Sequence, residues 1–200
     1  AINLERTDFI DKNYRYDSEI AVLFQEKTDL GNFLNGATLE HSLELMNQIL
    51  DIEVFHNGQK YKYKDICFIE INEDECWLNS VHSLYQYEVT SLRYLLKENL
   101  FFINIYNLPH KDLLFGDYKI QTTANDKKYI SSASAIAHYF ALSYEISGDI
   151  RDKWQKRLID LAAQNNYTSV INSYPVCNRS FDDEITRLIY EDAPLFMAAI

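Results

Sequence analysis

The spacing of apolar residues changes several times along this chain between the two-residue period of a strand and the 3.6-residue period of a helix. Residues 19–28 alternate apolar with polar side chains, which predicts a strand. Residues 38–52 then carry leucine and methionine at helical spacing, which predicts a helix. A chain that mixes the two periods in this way belongs to a fold class with both helices and sheet.

The strongest local signal is a hairpin directly after this helix. Asn57-Gly58 separates the apolar stretch Val54–His56 from a second extended stretch over residues 59–63. Asn and Gly readily adopt the two positive φ angles of a tight hairpin turn. We therefore expect two short antiparallel strands here.

The remaining periodicity predicts further elements of both kinds. Helices are expected over 80–99, 150–163 and 181–192, and strands over 117–123, 132–144 and 168–174, with an apolar connection over 101–108. Strands divided by helices, with antiparallel hairpins included, predict an α+β sandwich of antiparallel sheet and helices related to the split βαβ (ferredoxin-like) plan.

Composition limits the class of protein further. The 200 residues are enough for one domain, and eight Gly and Pro residues are too few for a linker or a low-complexity chain. Thirty acidic and nineteen basic residues give a net charge of −11, which argues against nucleic acid or an anionic membrane surface as the main partner. No run reaches the roughly 18 apolar residues of a membrane span. The chain nevertheless stops inside a purely apolar octet, residues 193–200, so we interpret it as a piece of something longer.

Three cysteines leave the redox chemistry open. Cys67 and Cys76 are nine residues apart, and a disulfide between them would contribute about 3 kcal/mol or slightly less. The alternative is two unrelated buried thiols, which is the better interpretation for a cytosolic protein. A zinc site is disfavoured because only His82 lies nearby as a further ligand. Cys177 has no obvious partner in the sequence.

Other motifs indicate modification sites but no chemistry. Asn166 and Asn178 begin Asn-x-Thr and Asn-x-Ser triplets, and we expect Asn166 just past a helix end and Asn178 beside a capping box that starts at Ser180. The acidic stretch 70–75 lacks the spacing of a calcium loop and is interpreted as a solvated charge run. The five histidines lack metal-ligand spacing, and His138 is expected to be a satisfied core residue. The sequence carries no catalytic or phosphate-loop signature, so no enzyme activity, metal or cofactor is predicted.

Several stretches together resemble the Patched family. Gly58-Gln-Lys-Tyr-Lys-Tyr-Lys-Asp-Ile-Cys67, followed by Cys76, is similar to that family's Gly-Lys-x-Tyr-x-Tyr-x-Asp-Leu-Cys…Cys stretch. Residues 130–142 resemble a strand of that family with Ser-Ala and a Tyr-Tyr/Phe-Leu ending, and Arg179-Ser-Phe-Asp-Asp-Glu184 resembles the Arg-Ser-x-x-Asp-Glu helix start before the second membrane span. The three stretches occur in the same order as in the family.

The resemblance implies the first extracellular or lumenal domain of a multi-pass protein of the resistance-nodulation-division superfamily, which includes the Niemann-Pick type C transporter. Such a domain has a porter-like α+β fold and, with a second similar domain of the same polypeptide, encloses a path for sterol or another lipid. The alternative is a receptor-type ectodomain that binds a secreted protein ligand. In either case, the domain would face the extracellular space or lumen at the plasma membrane or an endomembrane.

The same resemblance assigns roles to parts of this chain. It implies a Cys67–Cys76 disulfide and makes Asn166 and Asn178 usable glycosylation sites. Residues 1–17 become a membrane-proximal lead-in, 18–192 the extracellular domain, and 193–200 the start of a truncated transmembrane helix.

Overall fold

A computed structural model describes residues 16–27, 32–69, 74–98, 100–108, 111–168 and 170–180. The strands are β1 (Tyr16–Glu26), β2 (Val54–His56), β3 (Gln59–Tyr61), β4 (Leu78–Asn79), β5 (Phe115–Gly116), β6 (Lys119–Thr122), β7 (Lys128–Ser132), β8 (Ala135–Ser143) and β9 (Ile171–Val176). The helices are α1 (Gly36–Leu50), α2 (Tyr63–Ile66), α3 (Val89–Lys97), α4 (Leu100–Tyr106), α5 (Lys111–Leu114) and α6 (Gly148–Thr168), with a 3-10 helix at Val81–Tyr85.

The main sheet is antiparallel and has the order β4-β8-β1-β9, with β5 also paired to the outer edge of β8. The central strand β1 pairs with β8 along almost its whole length and with β9 along its second half. The predicted α+β class with antiparallel sheet is confirmed. Its ferredoxin-like detail stays a prediction, because the strand beyond β8 consists only of short pieces.

One face of this sheet forms the core. Ile20, Val22 and Phe24 of β1 are fully buried, as their alternation predicts. Helix α6 packs on this face: the Trp154 ring lies 6.1 Å from that of Phe140 in β8. Burying one large apolar side chain of this kind contributes about 1.5–3 kcal/mol. The core therefore lies between the sheet and its helices.

The start of α1 is fixed by two asparagines that precede it. The Asn35 side chain accepts the backbone N–H of Thr38 at 3.1 Å, which satisfies a donor of the first turn. Asn32 accepts the N–H groups of Leu34 and Ala133, so it also ties this start to the segment before β8. Helix α1 begins at Gly36, two residues before the predicted start.

The predicted hairpin is confirmed. Strands β2 and β3 pair antiparallel, and Val54 lies opposite Tyr61. Asn57 and Gly58 have φ angles of 51° and 79°, the positive values that a two-residue turn requires.

The single helix predicted over 80–99 is wrong. Residues Val81–Tyr85 form a 3-10 helix, Gln86 and Tyr87 follow with φ angles of 53° and 58°, and only then does α3 begin. Local periodicity cannot show this break, because His82 and Tyr85 of the 3-10 helix are buried against distant residues of the core.

The apolar connection predicted over 101–108 is wrong: most of it is the helix α4, because an almost continuous apolar run hides the helical spacing of buried Phe101 and Ile105. The strand predicted over 132–144 is found as β8, and β7, which precedes it and pairs with β6, was not predicted. Between β7 and β8, Ala133 accepts the N–H of Phe33 at 2.8 Å, which turns the chain toward α1.

The C-terminal elements differ from prediction in their bounds. Helix α6 continues to Thr168 rather than to residue 163, and Pro175 lies within β9 rather than after it. Proline lacks the N–H group for one ladder bond and is tolerated in a strand at the edge of a sheet. Strand β9 has that position, with β1 on one side.

Some predicted segments lie outside the described residues. These are most of the lead-in 1–17, the helix over 181–192 and the apolar end 193–200, so the domain boundaries stay predictions. Within the described ranges, no helix combines the length and the apolar character needed to cross a membrane.

We expect Gln86→Gly to raise the free energy of unfolding by about 1 kcal/mol, because glycine removes the cost of a left-handed conformation in an L residue. Urea unfolding at neutral pH measures the change. Thr90→Gly is the matched control: Thr90 is exposed in the first turn of α3, and glycine there should be mildly destabilising. Equal effects of both variants would contradict the prediction.

Candidate functional site

A disulfide closes the loop that carries the acidic residues. The structure joins Cys67 to Cys76 with their Cα atoms 5.5 Å apart, the pairing that the family resemblance implied. Cys67 pairs with Leu142 of β8, and the N–H of Phe68 donates to the carbonyl of Ala141 at 2.9 Å. The loop is thereby attached to the outer edge of β8. Its exposed residues include Asp74 and Glu75, whereas 70–73 lie outside the described residues.

The third cysteine has a different environment. Cys177 is a free, buried thiol just after β9. In the described ranges no group of three or more His, Cys, Asp or Glu side chains is placed to hold a metal ion. His82, the zinc ligand considered for the Cys67 region, is instead fully buried in the core.

The sheet has a second face, which is exposed along β1 and β9 but largely covered along β8, where Ala135 and Ala137 are buried and the Tyr139 hydroxyl donates to the carbonyl of Leu113 in α5. Because Ile20, Val22 and Phe24 point into the core, the residues between them point the opposite way, and their cross-strand partners share that side. We call this surface the open face, and its described members are Ala21, Leu23, Gln25, Ala135, Ala137, Tyr139, Asn172, Tyr174 and Val176.

None of these described members of the open face is charged, although the chain as a whole carries 49 charged residues. Leu23, Tyr174 and Val176 are 37%, 43% and 62% exposed. The outer face of an antiparallel sheet in a soluble domain is usually polar. An uncharged, apolar sheet face with exposed side chains instead indicates an interaction surface.

A groove on the helical side of the domain has the opposite character. It lies between α1 and α6, has a volume of about 330 Å³, and is lined by His41, Glu44, Leu45, Gln48, Leu161, Gln164 and Asn165. His41 and Glu44 approach to 3.5 Å within it. Sites that enclose apolar ligands are mostly lined by hydrophobic side chains. This polar groove is therefore not a ready-made sterol pocket.

The core also holds a polar cluster that sequence reasoning missed. The imidazoles of His82 and His138 are stacked, with ring centroids 4.7 Å apart and planes 16° from parallel. His138 Nδ1 lies 2.7 Å from Ser80 Oγ, and its Nε2 has no hydrogen-bond partner. His138 was predicted to be a satisfied core residue; it is buried, but only one of its ring nitrogens is satisfied.

Alternation alone indicates that His138 lies on the buried side of its strand. No pattern in the sequence places His82 beside it, because the two residues are 56 positions apart and meet only when Ser80–Tyr85 packs against β8.

The predicted glycosylation sites occupy helical backbone. Asn166 lies inside the last turns of α6, so its predicted place past the helix end is wrong. Asn178 is exposed, and residues 178–180 are already helical. Ser180 Oγ accepts the N–H of Cys177 at 3.0 Å and donates to its carbonyl, so Ser180 does not begin the helix as predicted. Glycosylation at Asn166 and Asn178 stays a prediction.

The double variant Cys67→Ala/Cys76→Ala should lower the free energy of unfolding by about 2.5 kcal/mol, because a nine-residue separation gives a short closed loop. Denaturant titration with and without a reductant measures the loss. Cys177→Ala removes a buried thiol without opening a loop, and it should leave the effect of the reductant unchanged. If the reductant has no effect on the unaltered protein, the disulfide is not formed.

Comparison with known proteins places these features in a family. The sequence model described as NPC1, middle luminal domain, matches residues 8–133, which is more than half of the chain. No curated protein matches. The matched region includes all of β1, α1, the hairpin, the disulfide and the 3-10 helix. The chain therefore belongs to the NPC1 middle luminal domain family.

Proposed function

We propose that this domain forms part of the wall of a sterol or lipid path in a multi-pass membrane protein, together with a second, similar domain of the same polypeptide. The observation that carries the proposal is the match to the NPC1 middle luminal domain over residues 8–133. A luminal domain of an NPC1-like protein has a luminal or extracellular position and takes part in sterol handling. The domain acts by docking and enclosing, not by catalysis.

The open face supports the docking part of this proposal. A surface that lacks charges and exposes Leu23, Tyr174 and Val176 suits a partner surface that is also apolar. A partner domain with the same fold offers such a sheet face. The rest of the surface, with a net charge of −11 for the chain, suits contact with water.

The positions of the described ends fit a domain that is inserted between two membrane spans. Strand β1 begins at Tyr16 and β9 ends at Val176, which lies opposite Ala21. Because β1 and β9 are antiparallel, the chain enters and leaves the sheet at the same end. Adjacent entry and exit points are what an inserted domain requires.

The groove between α1 and α6 favours a lipid site formed jointly by two domains over a site contained within this domain alone. Its lining is mostly polar, and Glu44 with His41 lies at its side. A sterol would lose little water-exposed surface there. An enclosure built from two domains would supply the apolar lining that this groove lacks.

We expect a charge on the open face to reduce sterol transfer by the complete membrane protein. The double variant Tyr174→Lys/Val176→Lys places two charges in the proposed interface, where burying them costs several kcal/mol. Sterol exchange between donor and acceptor vesicles measures transfer, with folding checked by circular dichroism. Phe55→Lys is the matched control: Phe55 is 62% exposed on the β2–β3 hairpin, away from the main sheet. Normal transfer by the double variant would contradict the docking proposal.

The isolated domain should bind sterol weakly or not at all, because it supplies only half of the proposed enclosure. Titration of the domain with a fluorescent sterol measures this. Tight binding of one sterol per domain would overturn the proposal that two domains form the path together, and it would favour a site within this domain alone.

A further inference from the structure

The stacked histidines join two segments of the chain that have little backbone pairing with each other. His138 belongs to the long strand β8, whereas His82 belongs to the 3-10 helix that follows β4. Residues 78–87, which we call the lock segment, form strand pairing with β8 at only two residues, Leu78 and Asn79. The segment also contacts β8 through side chains, and the stacked histidines are one of these contacts.

Every polar partner of the pair is uncharged. His82 Nε2 lies 3.2 Å from Ser42 Oγ of α1, and His82 Nδ1 contacts the hydroxyl of Tyr85. Ser80 Oγ contacts His138 and also accepts the backbone N–H of His82 at 3.1 Å. From β1, Phe24 places an aromatic ring 4.8 Å from that of His138.

In the part of the chain that the structure describes, the titratable groups that face the pair cannot neutralise a positive charge. They are the phenols of Tyr85 and Tyr87, both on the lock segment. Burial raises the pKa of Tyr85 and raises that of Tyr87 to about 12, so both are neutral at and below neutral pH. The carboxylate of Glu75 acts on Tyr87 and not on either imidazole.

The lock segment has defined ends. Before it, Cys76 is tied to Cys67 and so to the edge of β8. After it, Gln86 and Tyr87 hold consecutive left-handed conformations, with φ angles of 53° and 58°. Such conformations are unfavourable for L residues and persist only where surrounding contacts enforce them. Loss of the side-chain contacts would therefore free the segment between a fixed end and a strained one.

We propose that the His82–His138 pair is an acid-sensitive lock, which holds residues 78–87 against β8 when both rings are neutral and releases them when protons bind. Protonation would place positive charge in rings 4.7 Å apart, where the described residues offer neither a carboxylate partner nor an acceptor for His138 Nε2. Opening the segment lets both imidazoles reach water, and the disulfide limits how far the segment moves.

The direction of the pH effect follows from the pKa values. Burial lowers the pKa of His138 to about 3, and burial together with the neighbouring His138 lowers that of His82 well below its usual 6.5. The open state binds protons near pH 6.5, as ordinary histidines do. The lock is therefore at full strength above about pH 6.5 and weakens as the pH falls below that value.

Amide hydrogen exchange of the 200-residue chain tests the lock. Protection factors corrected for the intrinsic pH dependence should fall between pH 7.5 and pH 5.0 by roughly 30-fold for each histidine that must take up a proton. The fall should be concentrated in residues 78–87, while the α6 amides keep their protection. Unchanged protection of the segment, or an equal fall throughout the chain, would overturn the proposal.

Variants test whether the pH dependence of protection comes from the His82–His138 pair or from other titratable groups. His138→Phe keeps an aromatic ring at the site and should remove roughly 30-fold of the pH effect. His41→Gln changes an exposed histidine of α1 and should leave the effect intact. If His138→Phe does not fold, NMR of the imidazole C–H resonances of the unaltered protein provides the test. Neutral His82 and His138 at pH 5.0 in molecules whose segment is closed would support the lock. Titration of these rings near pH 6.5 while the segment stays closed would refute it.

Discussion

Strand β1 lies between β8 and β9, and this position sets the architecture of the domain. Its pairing with both neighbours commits alternate residues to opposite sides, so Ile20, Val22 and Phe24 enter the core while Ala21 and Leu23 face outward. A slip of one residue would exchange the two sets. The core, the open face and the common end at which the chain enters and leaves the sheet are consequences of this one register.

The two faces of the sheet have different tasks. The inner face packs against α6 and encloses the His82–His138 pair, so this side determines the stability of the domain and its response to acid. The described members of the open face are uncharged and include the exposed Tyr174 and Val176, so this is the side on which a partner would reduce contact with water. Membership of the NPC1 middle luminal domain family places both faces in a luminal or extracellular domain of a larger membrane protein.

Prediction from the sequence succeeded where a local rule applies. The β2–β3 hairpin follows from Asn57-Gly58, and the helices α1 and α6 follow from apolar spacing. It failed where long-range contacts decide the backbone. The break at Gln86 depends on the burial of His82, and the turn between β7 and β8 depends on the bond between Phe33 and Ala133. The α4 helix was missed for another reason, because its apolar run has no visible period.

Four features can be predicted from the amino-acid order alone: the α+β class, the hairpin, the negative net charge and, through family motifs, the pairing of Cys67 with Cys76. Each of them rests on neighbouring residues or on a recognisable sequence motif. The exposed side of the sheet and the contact between His82 and His138 come instead from the fold, because strand order and the packing of distant segments set them. Residues 56 positions apart carry no local mark of their proximity, so that contact emerges only when the sheet has formed.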